Sequence, residues 1–180
     1  DLGNNSIRKI TPEGVVTTLA GSGLRGSADG TGTAASFYYP HGVALDGSGN
    51  VYVADRRNYR VQKFDSKGKF IRKWGSRISS YSGACSSAIA GKFLHPHGIA
   101  VDSENNVWVS DNRIHRVQKF DKDGNFLLCF GGKIDPTPTS RAPCYKPTSA
   151  SCTAAYDGKF VKPGQIAVDS SDNVYVLDGG

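Results

Sequence analysis

Apolar residues in this chain fall in short runs that alternate with polar positions at every second residue, and no window carries the three- and four-residue spacing of a helix. In its first half the pattern predicts strands over residues 42–46, 51–55, 60–64 and 70–74. Val51 and Val53 share one face with Tyr52 opposite, and Val61 and Lys63 share one face with Gln62 opposite. Gly47-Ser48-Gly49-Asn50 and Ser66-Lys67-Gly68-Lys69 between the runs are hairpin turns, where Gly or Asn takes the positive φ that other residues resist. The expected element is a four-stranded antiparallel sheet.

That sheet is a repeat. FYYPHGVALDGSGNVYVADRRNYRVQKFDSKGKFIRKWG, from Phe37 to Gly75, returns 56 residues later as FLHPHGIAVDSENNVWVSDNRIHRVQKFDKDGNFLLCFG, from Phe93 to Gly131. Phe160 opens a third copy, FVKPGQIAVDSSDNVYVLD, which stops after Asp178. Setting Asp1 against Asp55 and Asp111 places Ile7 on Val61 and Val117, Ile10 on Phe64 and Phe120, and Gly21 on Gly75 and Gly131. The organisation is then a back half-unit with linker at 1–36, a full unit at 37–75, a linker with Cys85 at 76–92, a full unit at 93–131, a Ser/Thr/Pro-rich linker with Cys144 and Cys152 at 132–159, and a front half-unit at 160–180.

Four-stranded sheets of roughly 40 residues joined by linkers are the sequence form of β-propeller blades, so the fold class is all-β. One blade cannot bury both faces. Val43, Leu45, Val51, Val53, Val61, Phe64 and Trp74 need neighbouring blades against them. Two full blades and two halves do not close a ring of the usual four to eight, so other copies or the remainder of the same chain are expected to complete it. Two copies contributing three blades each would give six.

The order P-x-G-[IV]-A-[VL]-D, then N-V-[YW]-V-[AS]-D, then R-V-Q-K-F-D and G-x-F resembles the NHL repeat, and TTLAGSGLRGSADGTGTAASFYYP resembles the linkers of NHL proteins. The resemblance covers nearly the whole chain and implies a propeller, usually of six blades. It implies no single function.

Composition narrows the setting. The formal net charge is +6, and basic residues gather at Arg56, Arg57, Arg60 and Lys63 and again at Arg113, Arg116 and Lys119. Such clusters can hold a polyanion, with Arg56, Arg57, Arg60, Arg113 and Arg116 as the candidates, or can keep strand edges soluble and unpaired. Four cysteines, three of them in linkers, suggest an oxidised extracellular or cell-surface protein; the preferred pairing is Cys144 with Cys152 and Cys85 with Cys129. Asn4-Asn5-Ser6 is a glycosylation triplet, and the Pro/Thr/Ser run from Asp135 resembles an O-glycosylated linker. No apolar run approaches the length of a membrane span. The chain has no methionine, which points to a fragment or a processed product.

His41 and His97 are the sharpest chemical candidates. Each follows a proline and precedes the glycine of an innermost strand, so both are expected at one mouth of the central channel, where converging imidazoles can bind zinc. Similar Pro-His motifs carry zinc ligands in the peptidylglycine amidating lyase group of NHL propellers, and the resemblance implies the same for these two. The third copy departs from it: Gly164 stands at the histidine position, and Gly42 and Gly98 stand where the lyase pattern has aspartate. The competing reading is a histidine that braces its own loop. His95 and His115 do not recur as ligands would. Asp46, Asp102 and Asp169 faintly resemble calcium loops, but the glutamate such a loop needs at its twelfth position is missing, which leaves an aspartate-capped turn. Tyr38, Tyr39, Tyr59 and Tyr81 can supply an aromatic surface, while Trp74 and Trp108 lie within strands and read as packing.

With no nucleophile elbow, phosphate loop or carboxylate pair, the leading expectation is a non-catalytic extracellular propeller that binds protein or glycan partners, with no cofactor. A zinc-dependent lyase is the alternative. An RNA-binding NHL domain comes after it, because cysteine-bearing Ser/Pro-rich linkers fit nucleic acid poorly.

Overall fold

The computed structural model describes residues 1–79, 90–131 and 160–179. The first full unit is a sheet in the order β3-β4-β5-β6, with β3 at Pro40–Leu45, β4 at Val51–Asp55, β5 at Arg60–Phe64 and β6 at Phe70–Trp74. The second repeats it as β7 (Pro96–Val101), β8 (Val107–Asp111), β9 (Arg116–Phe120) and β10 (Phe126–Gly131). Two-stranded sheets flank them: β1 (Ile7–Ile10) with β2 (Val16–Ala20), and β11 (Pro163–Val168) with β12 (Val174–Asp178). The strands within each of these sheets pair antiparallel. Two full blades and two half-blades stand where the repeat puts them.

Three of the four expected strand ranges in the first unit match. The exception is β3, which starts at Pro40 rather than residue 42, because Pro40 lies opposite Asp55 before a register shift ahead of Val43. The same irregularity opens β7 and β11. It brings His41 and His97 inside the innermost strands.

The alternation seen in the sequence sorts side chains between two seams. Val51, Val53 and Phe64 pack with Phe37, Ala20 and Ala35 toward the preceding half-blade. Tyr52, Ala54 and Val61 pack toward the following blade, against Phe93, Ile99, Val107, Val109 and Phe120. Phe93, which opens the second unit, therefore belongs to the seam as much as to its own blade. Where a neighbour is present the seam is dry: Tyr52 is 0 % exposed and its counterpart Trp108 9 %, whereas Tyr175, at the same position of the half-blade, is 59 % exposed. Val43 and Leu45 at the opposite end are exposed in the same way.

Buried charge fixes the loops. Asp55, fully buried, accepts hydrogen bonds from the Tyr38 backbone (2.9 Å), Asn58 Nδ2 (2.8 Å), Arg60 Nε (2.8 Å) and Gln62 Nε2 (3.2 Å). Arg60 also donates to Asp29 and to the carbonyls of Ser27 and Ser36, and so staples the incoming linker to the blade. In the second blade Asp111 accepts from the backbones of Leu94 and His95, while Arg116 and Gln118 donate to the Lys92 carbonyl. Burial pushes the Asp55 and Asp111 carboxyls up against these hydrogen bonds and pushes Arg116 down to about 10.

The turns are aspartate-capped, as expected in place of a calcium loop. Asp46 Oδ1 accepts from the backbones of Ser48 and Asn50, and Asp102 and Asp169 repeat the arrangement. The fourth turn position is left-handed in all three: Gly49 (φ 78°), Asn105 (64°) and Asp172 (62°). Asp102 is further held by Trp108 Nε1 (3.1 Å) and Lys119 Nζ (2.9 Å), with Lys119 over the Trp108 ring at 4.8 Å. Asp46, Tyr52 and Lys63 form the same triad.

Cys129 is buried; Cys85, Cys144 and Cys152 lie outside the described residues, and with them both expected pairings. Asn4 is exposed, with Nδ2 on Asp1, and Ser6 of its triplet is buried.

Two outcomes follow for stability. Asp55→Ala leaves the Arg60 guanidinium buried beside a cavity and is expected to cost about 3–5 kcal/mol in urea unfolding, whereas Arg72→Ala, which breaks an exposed pair with Asp123, is expected to cost under about 1 kcal/mol. The second concerns acid. Burial raises the Asp102 pKa, but Lys119, Asn106 and Trp108 outweigh it and hold the carboxyl below its ordinary value. Its contribution is therefore complete above the unfolded pKa of about 4 and is lost as pH falls through the lower native value. The stability gap between wild type and Asp102→Asn should close over that acid range in urea midpoints measured against pH.

Candidate functional site

The innermost strands β3, β7 and β11 lie side by side and begin at one end of the fold, which forms the mouth of the channel. Their opening residues are Pro40-His41-Gly42, Pro96-His97-Gly98 and Pro163-Gly164-Gln165. The glycines have a steric cause: a Cβ on Gly42 would stand 2.5 Å from the His97 carbonyl oxygen, and one on Gly98 2.3 Å from that of Gly164. Adjacent innermost strands approach too closely for any side chain there. An aspartate in the lyase manner has no room at either position. Ser110 completes the stitch, accepting from the Gly98 backbone (2.8 Å) and donating to the Gly164 carbonyl (2.6 Å).

This close approach brings His41 and His97 together, as their spacing in the repeat predicts. Their rings stack with centroids 3.5 Å apart and an interplanar angle of 33°. Burial lowers the His41 pKa, aided by the nearby Arg56 charge. Burial, His41 and Arg56 together push His97 down to about 4. Both imidazoles are therefore neutral at physiological pH, and stacking of neutral rings is favourable where stacking of two imidazolium ions is not. Both Nδ1 atoms are buried with no hydrogen-bond partner.

Among the described residues no group of three or more His, Cys, Asp and Glu side chains is placed to hold a metal ion. His41 and His97 are two imidazoles, and the third blade brings Gly164 to the place where another would stand. Zinc chemistry at this mouth needs at least one ligand more than these strands supply.

The basic residues divide in two. Arg60 and Arg116 do not form a polyanion surface: they are 5 % and 0 % exposed, Arg60 spends its donors on Asp55, Asp29 and linker carbonyls, and Arg116 donates through Nη2 to the Lys92 carbonyl. The reason is their place at the start of the third strand, facing the buried aspartate. Arg56, Arg57 and Arg113 lie on the loops joining the second and third strands, at the mouth, with Arg57 and Arg113 exposed. Arg57 sits over Tyr39 at 5.9 Å, and the Tyr38 and Tyr39 rings are 5.5 Å apart. Tyr39 holds a left-handed backbone (φ 53°) and is fastened by its N–H to Asn5 Oδ1. Tyr59 and Trp74 are partly buried in packing clusters, and Tyr81 is outside the described residues.

His95 joins the site, though it has no counterpart in the other units. Its Nδ1 accepts from Arg56 Nη2 at 3.3 Å across the seam, and burial with Arg56, Arg57 and Arg113 pushes its pKa down to about 4. A search for recurring residues passes over it, because the pairing joins positions of two different blades. His115 faces elsewhere, toward the Val161 carbonyl.

Comparison with known proteins agrees with this architecture. The chain is 29 % identical over 151 residues to peptidyl-alpha-hydroxyglycine alpha-amidating lyase 1 of Drosophila melanogaster, covering 76 % of this chain and 25 % of that protein. It is 38 % identical over 74 residues to the human NHL repeat-containing protein 3, covering 41 % of this chain and 19 % of that one. The chain thus spans a quarter or less of these two relatives. Among solved structures, virginiamycin B lyase from Staphylococcus aureus superposes on 98 % of this chain and 43 % of its own, with a TM-score of 0.54 at 13 % identity, a likeness of fold. The family model of the NHL repeat matches residues 37–64 and 93–120, from the opening phenylalanine of each blade to the end of its third strand, and the chain is an NHL-repeat β-propeller.

Proposed function

We propose that the chain serves as a non-catalytic extracellular interaction module, a propeller segment that meets protein or glycan partners with its mouth face. The observation that carries this reading is the surface of Arg57, Arg113 and the Tyr38-Tyr39 pair around the mouth, set on loops anchored by buried aspartates. Rigid aromatics beside arginine give contact area and charge at small cost in side-chain entropy. Oxidised cysteines and glycosylation at Asn4 belong to the same proposal, and the exposure of Asn4 supports the second. The exposed seam residues Tyr175 and Leu177 at one end and Val43 and Leu45 at the other support completion of the ring by further blades, from other copies or the remainder of the same chain.

A second reading, a zinc-dependent lyase, is favoured by the His41–His97 contact and by the amidating lyase among the relatives. Metal analysis after dialysis against zinc separates the two. The binding module predicts zinc well below one equivalent and no change on His97→Ala, whereas stoichiometric zinc lost in that variant promotes the lyase reading over it.

For the module itself, the double reversal Arg57→Glu, Arg113→Glu should weaken capture of partners found on protein and glycan arrays by about tenfold or more, about 1.4 kcal/mol. The urea midpoint should not move. Full retention of binding would sink the assignment of the mouth as the contact face.

A further inference from the structure

We infer that Arg56, with His41, His95 and His97, forms a small oxyanion site in the channel mouth that takes a carboxylate, sulfate or phosphate group. The inference rests on the mouth being a binding face and names the ligand chemistry of its inner part.

Three orphaned polar atoms mark the place. Arg56 Nε, His41 Nδ1 and His97 Nδ1 are buried and have no hydrogen-bond partner. A buried group left unpaired costs about 1–3 kcal/mol, and here the groups gather around one guanidinium. Arg56 lies close enough to His41 and His97 to depress both, and its Nη2 reaches His95. A ligand oxygen on Nε would pair the one buried donor of this arginine that the fold leaves open.

The charge around it is lopsided. Burial, then Arg57 and Arg113, disfavour the Arg56 cation, and among the described residues the carboxylate that opposes them is Asp111. Asp111 is buried and already accepts hydrogen bonds from the backbones of Leu94, His95 and Arg113. Among the described residues, the groups facing the site are thus three arginines, three imidazoles and one committed carboxylate. An anion bound there gains from every cation. Oxyanions suit the donors, since a guanidinium N–H and an imidazole N–H both aim at lone pairs, and charge-assisted bonds of this kind are the strong ones.

The site exists only across a seam. His41 and Arg56 come from the first full blade, and His95, His97 and Arg113 from the second. The same positions across the next seam are filled differently: Asn112 stands for Arg56, Gly164 for the second mouth histidine and Lys162 for His95. One such site is therefore expected in the described residues.

The test uses the full chain, first dialysed against a chelator, with histidine ring signals followed by NMR during titration with inorganic phosphate, sulfate or acetate. Saturable shifts are expected at His41, His95 and His97, with His115 unmoved. Arg56→Gln should raise the dissociation constant about tenfold or more, the loss of one charge-assisted bond, and Arg56→Lys should fall between. Unchanged urea midpoints show that the variants fold. Linear, non-saturating shifts overturn the proposal, as does equal weakening by the distant Arg72→Gln, which would reduce the effect to general charge. Stoichiometric zinc on His41 and His97 that survives the chelator also overturns it. The three arms separate the sources: a preference for sulfate points to a sulfated glycan, for acetate to an acidic peptide or uronate, and for phosphate to a phosphorylated ligand. Loss of array partners with anion binding intact would remove the module reading alone.

Discussion

Everything at the mouth depends on a carboxylate that has no contact with water. Asp55 draws together the segment that opens the blade, the loop after the second strand and the first residues of the third, and through Arg60 it also holds the linker from the blade before. Neither charge can be lost alone, because the one left behind would stand unpaired in the interior. The incomplete units show the same device in part. Asn4 donates to Asp1 as Asn58 does to Asp55, and Asp178 accepts from the Val161 and Lys162 backbones as Asp111 does from Leu94 and His95. The equivalent position ahead of the third strand is left-handed each time, at Asn5, Tyr59 and His115. The network is the true unit of repetition, and the strands hang from it.

Much of this was legible in the sequence because period and alternation are local properties. Val51, Tyr52 and Val53 announced a strand with two buried faces, and the register of Phe37 with Phe93 placed every turn. The start of the innermost strand was misplaced because Pro40 carries no alternation signal, and only the pairing across to Asp55 reveals it. Charge was harder to read. Arg56 and Arg60 look alike in a string, yet one lies at the mouth and the other is sealed beneath it, and the difference is set by which side of the chain faces the buried aspartate. His95 was invisible for a related reason, since its partner belongs to another repeat unit.

Closeness of the innermost strands governs what the mouth can be. Pro-His-Gly looked like a ligand motif. In the folded chain its glycine is a packing requirement, imposed by carbonyls that come within 2.5 Å of where a Cβ would be. The histidine is then the first side chain free to vary at the axis, and successive blades can carry imidazole or nothing there without disturbing the strands. A propeller can thus alter its axial chemistry blade by blade while its framework stays fixed.

The seams carry a further consequence, which concerns breathing rather than binding. Tyr52 and Trp108 are sealed by a following sheet and Tyr175 is not, so the cohesion of each blade is a sum over its neighbours. Opening the sheet of β11 and β12 breaks one such contact, while opening that of β7 to β10 breaks two. Amide protons should therefore exchange in spatial order, with the outer sheets fraying independently and the two full blades as the slow core, a gradient that any added blade would flatten.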